Sequence, residues 1–175
     1  MLPAKKMLIA FFIMYGIGTH NCKAQETDYK AYTLFVYNFM KYVEWPEAQN
    51  KGDFIIAVLG DSPISKELQT LASGKKLKGR NIVLKKCNSF EETAGCHLLY
   101  ISSSKSNMVK ALKDQIKDKP VLIVGEREGL AKKGAGLSFV TLEEDELKFD
   151  INKKEIELHQ LKISSSLISL GIVIN

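Results

Sequence analysis

Phe54-Ile55-Ile56-Ala57-Val58-Leu59 is an unbroken apolar run, and Gly60-Asp61-Ser62-Pro63 closes it. A strand with one face in water alternates. A continuous run marks a strand covered on both faces, as in a parallel sheet packed between helices. Gly60 permits a tight turn. Ser62 can cap a helix that begins at Pro63, where the missing N–H costs nothing. The stretch therefore reads as the first inner strand of an α/β domain, leading into its crossover helix.

Similar runs recur downstream. Residues 98–101 and 121–124 are apolar throughout and read as inner strands, whereas 82–86 alternates and reads as an edge. A helix is expected over residues 29–43. Its wide apolar stripe includes Phe35, Phe39 and Tyr42, and it stops ahead of Trp45-Pro46 because the residue before proline avoids helical backbone. Trp45 is the residue there with a polar handle for a ligand or partner. Further helices are expected from Pro63 to about Ala72, over residues 107–117 behind Ser106, and over 153–159 behind Asn152. Residues 137–142 and 146–151, joined by Glu143-Glu144-Asp145, read as a hairpin. Residues 161–174 read as a helix, or a helix plus a strand. This order predicts a mostly parallel sheet of about five to six strands flanked by helices, with an antiparallel hairpin at one edge.

The beginning of the chain has a different character. Two lysines, an apolar run over residues 7–18 and a polar end at Cys22-Lys23-Ala24 have the layout of a secretory signal peptide cleaved after Ala24. The run is shorter than the roughly 20 apolar residues a membrane anchor needs. A lipoprotein acylated on Cys22 and an uncleaved anchor are the alternatives. Residues 25–175 then form a single domain in an exported, periplasmic protein. The chain carries a formal charge of +5, but three lysines leave with the signal, so the domain has 22 basic and 20 acidic residues. No segment concentrates basic residues with aromatics between them, which argues against nucleic acid as a partner. Cys87 and Cys96 remain, and an even pair in an exported protein reads as a disulfide. Free thiols, a metal site with His97 and a redox pair are the alternatives.

Catalytic patterns are missing from the sequence. It has no G-x-S-x-G, no P-loop and no G-x-G-x-x-G after a strand. The acidic run at residues 143–146 lacks the punctuation of a calcium loop. His97 and His159 both read as structural. No metal or cofactor is expected. In an open α/β sheet, ligands bind beyond the carboxyl ends of the strands. Three loops should meet there: Gly60-Asp61-Ser62, Ser102-Ser103-Ser104 and Gly125-Glu126-Arg127-Glu128. Asp61, Ser62, Ser102, Ser103 and Arg127 are candidates to hold a small anion, by hydroxyls, helix N-termini and one guanidinium. Ordinary turn chemistry and helix caps are the competing reading.

Several motifs, in order, carry a resemblance. They are Phe35-x-Tyr37-Asn38-Phe39-x-x-Tyr42-Val43-Glu44-Trp45-Pro46, Ile56 to Pro63, Leu77-x-Gly79-x-x-Ile82 and Cys96-His97-Leu98-Leu99-Tyr100-Ile101. Gly134-x-Gly136-Leu137-Ser138-Phe139, Leu147 to Asn152 and Leu161 to Leu167 follow. Together they resemble the YfiR-like family of exported proteins. The resemblance implies a small periplasmic α/β protein without catalytic residues. It implies a role in repressing a membrane-anchored diguanylate cyclase through its periplasmic sensor part, and so in cyclic di-GMP control and biofilm formation. A histidine kinase is the other kind of membrane sensor considered as partner, and a homodimer is compatible with the sequence. A small-ligand sensor, using the strand-end loops, is the alternative function. One departure is Gly171-Ile172-Val173-Ile174, where relatives continue a Leu/Ala-rich helix. An exposed apolar patch is expected, from residues 35–45 and the terminal segment.

Overall fold

The computed structural model describes residues 27–174, so the expected signal segment lies outside the described residues. The first helix, α1 (Tyr29–Tyr42), starts on Asp28, whose carboxylate accepts from the N–H groups of Lys30 and Ala31. The chain continues through β1 (Val43–Glu44), β2 (Phe54–Leu59), α2 (Ile64–Gly74), β3 (Lys76–Leu77) and β4 (Arg80–Cys87). Then come β5 (Leu98–Ile101), α3 (Val109–Gln115), β6 (Leu122–Gly125), β7 (Leu137–Thr141) and β8 (Leu147–Ile151). The chain ends with α4 (Lys153–Leu158), β9 (Lys162–Ile163), α5 (Ser165–Ile168) and β10 (Ile172–Val173).

The main sheet has eight strands in the order β10-β8-β7-β6-β5-β2-β4-β3. From β4 to β7 every pairing is parallel. β7 and β8 form the expected antiparallel hairpin. The α/β class and the mostly parallel sheet agree with the sequence reading. Two short strands extend it. β3 covers β4 in antiparallel fashion, so β4 is not the edge. β10 pairs parallel to β8, so the terminal segment ends as a strand rather than as one long helix. Gly171 lets this last turn lie against Phe149 and Ile151, where a Cβ would collide with the Phe149 ring and the Ile151 side chain.

The uninterrupted apolar runs do what their pattern requires. Ile56, Val58, Leu98, Tyr100, Leu122 and Val124 face one side, packed with Val36, Phe39 and Met40 of α1 and Ile64 and Leu68 of α2. Ala57, Leu59, Leu99, Ile101 and Ile123 face the other, under Val109 and Leu112 of α3. Successive strand residues alternate between faces, so a strand buried on both sides must be apolar at every position.

The bridge expected between Cys87 and Cys96 is not formed; both are buried free thiols. Strand order supplies the reason. Cys87 ends β4 beside Leu59, whereas Cys96 leads into β5, on the far side of β2. Strands two places apart lie about 10 Å from each other, beyond the roughly 4.4–6.8 Å Cα spacing of a disulfide. Burial first, and then the charge of Cys87, push the Cys96 thiol up to about 12. Ser106 also does not cap a helix from residue 107. Its hydroxyl donates to the Ser103 carbonyl within a tighter turn over Ser103–Met108, and α3 begins after it.

Candidate functional site

From β2 the chain crosses to β4 on one side, then returns to place β5 on the other. The crossover helices α2 and α3 lie on opposite faces. The crevice between the carboxyl ends of β2 and β5 is therefore the topological switch point, where open α/β sheets hold ligands.

The three loops named from the sequence do meet here. Gly60 adopts φ +82°, and a Cβ on it would run into the hydroxyls of Ser102 and Ser104. Ser62 bonds to Glu126 across the crevice: its hydroxyl donates to Oε1 at 3.0 Å. The Ser103 N–H donates to Oε2 of the same carboxylate at 2.6 Å. The Tyr29 hydroxyl, from the first turn of α1, donates to Oε1 at 2.7 Å. Glu126 is only 5% exposed. The donors that were to hold an external anion thus hold the protein's own carboxylate, and this replaces the small-anion reading of the loops.

The remaining candidates fall in different places. Ser102 is fully buried and its hydroxyl pairs with that of Ser104 at 2.9 Å, a structural contact. Asp61 is exposed. Arg127 is exposed at the crevice rim. Trp45 sits elsewhere. It is buried edge-on against Phe54 and donates from Nε1 to the His97 carbonyl at 3.1 Å. It lines a separate cavity of about 480 Å³ with Met40, Leu77, Lys78 and Arg80. His97 is structural as expected. Its Nδ1 accepts from the Ile55 N–H, and Nε2 lies 3.1 Å from the Gln49 carbonyl.

Glu126, Tyr29 and Tyr32 are the site residues that sequence reasoning missed. Glu126 directly follows an inner strand, which is the position the switch-point rule favours, but Arg127 stands beside it as the more obvious anion ligand. Tyr29 and Tyr32 lie on a helix whose apolar stripe already explains them. The carboxylate makes its presence felt. Burial, then the Glu126 bond and charge, push the Tyr29 phenol up to about 12. Burial and the same charge raise Tyr32. Tyr100 is raised well above its ordinary value, by burial first and then by Glu126, Tyr32 and Tyr29. The Tyr100 hydroxyl is buried with no hydrogen-bond partner among the described residues.

A crevice of about 240 Å³ opens beside Glu126, walled by Tyr29, Tyr32, Phe139 and Thr141. Tyr32 stacks on Phe139 at 3.9 Å between ring centres. Among the described residues no group of three potential metal ligands occurs, and no helix is long and apolar enough to cross a membrane. Exposed large apolar side chains among the described residues are Leu34 near the start of α1, Val83 on β4, Leu142 after β7, and Leu158, Leu170, Ile172 and Val173 toward the end. The terminal segment supplies exposed apolar side chains as expected, whereas residues 35–45, Trp45 included, supply none of those named.

Comparison with known proteins gave the following. A family model described as YfiR/HmsC-like matches residues 29–172. A search of curated proteins found no match. A solved structure, an ABC domain in complex with L-Trp from Streptococcus pneumoniae, is similar at 16% identity with a TM-score of 0.53. The similarity covers 79% of this chain and 59% of that one. At that identity it shows a common fold.

Proposed function

The chain belongs to the YfiR/HmsC-like family, and from that premise we propose that it is an exported regulatory protein acting on a membrane signalling protein. It binds the periplasmic sensor part of its partner and does no chemistry of its own. The partner is a diguanylate cyclase, which the protein represses, so cyclic di-GMP falls and biofilm formation with it. A sensor histidine kinase is the other partner of this type. Residues 1–24 act as the cleaved signal and 25–175 as the working domain. The observation that carries this reading is the family match over residues 29–172, nearly the whole described chain. The exposed apolar residues at the terminal segment support it as contact surface for a partner. The test is cyclic di-GMP content in cells lacking the gene. The reading expects a rise, reversed by the full chain but not by a form without residues 1–24 that stays in the cytoplasm. Unchanged cyclic di-GMP would overturn the cyclase assignment.

A second reading, a small-ligand sensor, is favoured by one observation. The strand-end crevice places a buried carboxylate next to open, aromatic-walled space. The two readings are compatible, because a ligand that binds one conformation better shifts the population that meets the partner.

A further inference from the structure

His97 leads into β5 and is only 5% exposed. Both of its ring nitrogens are committed. The Ile55 N–H donates to Nδ1 at 3.1 Å, so Nδ1 carries no proton. Nε2 lies 3.1 Å from the Gln49 carbonyl, which can only accept, so Nε2 holds the proton of the neutral ring and donates it. The Arg80 guanidinium stands 3.0 Å from the same Nε2. The guanidinium nitrogen at that distance already donates to the carbonyls of Lys51 and Asp53, so it faces Nε2 as a second donor rather than as a partner. The imidazole is thus held neutral, in one tautomer, against a fixed cation. A further proton can enter only at Nδ1. It would set one N–H against another at Ile55 and one positive charge against another at Arg80.

These two side chains also fasten one segment. His97 holds Gln49, at the end of a single helical turn over Glu47–Gln49. Arg80 holds the next stretch through the carbonyls of Lys51, Gly52 and Asp53, at 2.8–3.2 Å. Both rest on Phe54: the imidazole stacks on its ring at 4.8 Å between centres, and the guanidinium carbon lies 5.5 Å from the ring centre. Glu47 and Asn50 of the fastened segment wall the cavity of about 480 Å³ that Trp45 lines. Arg80, from β4, is the charged side chain in contact with the imidazole. Asp53 faces Asn81 at 3.0 Å, and Glu44, Glu47 and Lys78 line the cavity. β2 and β6 meet His97 with Phe54, Ile55 and Leu122, which carry no charge. Burial, opposed by the Gln49 carbonyl and reinforced by the Arg80 charge, holds the imidazole below its ordinary value.

We propose that residues 47–53 form an acid-released latch, which protonation of His97 opens beside the Trp45 cavity. Once His97 is charged, one of the two cations has to leave. Departure of Arg80 frees the carbonyls of residues 51–53, and departure of the ring frees Gln49 and the Ile55 N–H. Histidine suits this because its charge changes between pH 5 and 8. The closed latch disfavours the proton and the open one does not, so the latch holds above about pH 6.5 and opens as pH falls below it. Acidity then becomes a signal that the protein can read, whatever its membrane partner.

The test uses the exported, processed protein. Trp45 is the one tryptophan of the chain, and its Nε1 donates to the His97 carbonyl, so its emission reports on the latch. Between pH 7.5 and 5.0 the emission should move to the red. The hydrogen-exchange protection factor of the Ile55 amide should fall at least about tenfold, the shift that one pH unit below 6.5 can drive. Far-UV circular dichroism should hold. Nitrogen chemical shifts at pH 7.5 should place the His97 proton on Nε2. His97→Asn keeps an acceptor for Ile55 but cannot titrate, and should abolish both changes. Arg80→Gln removes the opposing charge, and should raise the His97 pKa toward its ordinary value. A proton on Nδ1 at pH 7.5, or emission and protection that do not move, would overturn the latch. So would the same transition in His97→Asn, or one that coincides with loss of ellipticity, which is global unfolding. Should His97→Asn fail to fold, a His97 pKa unmoved in Arg80→Gln overturns the proposal by itself.

Discussion

Replacing Glu126 by alanine should be among the most damaging single changes at the strand-end crevice. The carboxylate ties three elements together: α1 through Tyr29, the loop after β2 through Ser62, and the turn after β5 through the Ser103 N–H. Hydrogen bonds to a charged group contribute about 1.5–3 kcal/mol each. All three here are part-buried, so water entering the vacated space recovers some of this, and the expected loss is about 2–4 kcal/mol. Glu126→Gln isolates the charge. Its carboxamide oxygen can accept from the Ser103 N–H while its NH₂ donates to the two hydroxyls, which reverse their roles. The expected loss for Gln is about 1 kcal/mol, the difference between charged and neutral hydrogen bonds. Urea unfolding at pH 7 reads both values. Added formate should restore part of the stability of Glu126→Ala and none of Glu126→Gln, because only the alanine variant leaves an empty seat for an anion. A loss below about 0.5 kcal/mol for alanine, or equal losses for both variants, would refute the clasp.

Other consequences follow from the same geometry. Tyr100→Phe removes a buried hydroxyl that has no partner, so it should stabilise by about 1 kcal/mol and raise Tm by about 2–4 °C in a scan. Gly60→Ala should cost more than about 1 kcal/mol, since φ is +82° and the new methyl meets Ser102 and Ser104, whereas Gly74→Ala has open space and should be neutral or stabilising. Burial, opposed by the Gln49 hydrogen bond and reinforced by the Arg80 charge, holds the His97 imidazole below its ordinary value. The unfolded chain then takes up a proton first as pH falls through about 6.5. The stability present above that pH is lost on going toward the lower folded value. The urea midpoint should drop between pH 7.5 and 5.5, and drop less in His97→Asn; equal drops would assign the effect elsewhere.

The sheet was legible because its inner strands are apolar at every position. Phe54 to Leu59, residues 98–101 and 121–124 can be nothing else once Gly60 and Pro63 are seen to punctuate the first of them. The alternation of Leu147, Phe149 and Ile151 with Lys148 and Asp150 likewise marks the hairpin. β3 and β10 were not legible as such, because two residues carry no period. The crevice was found by topology, and Ser62 and Ser103 do face it. Its central group was not found, because a glutamate in a charged loop looks solvated until the fold buries it. The cysteine pair shows the converse. A separation of nine positions permits a bridge, but strand order decides, and β2 lies between β4, which ends at Cys87, and β5, which Cys96 leads into.

The central claim is action on a membrane signalling protein. It is tested most directly by capturing the tagged, processed protein on its own solubilised membranes and identifying what is retained. The account predicts one membrane protein that carries a periplasmic sensor part and a diguanylate cyclase domain, with cyclase activity in those membranes falling when the purified protein is added back. Recovery of no such protein under either oxidising or reducing conditions, with cyclase activity unmoved, would contradict it.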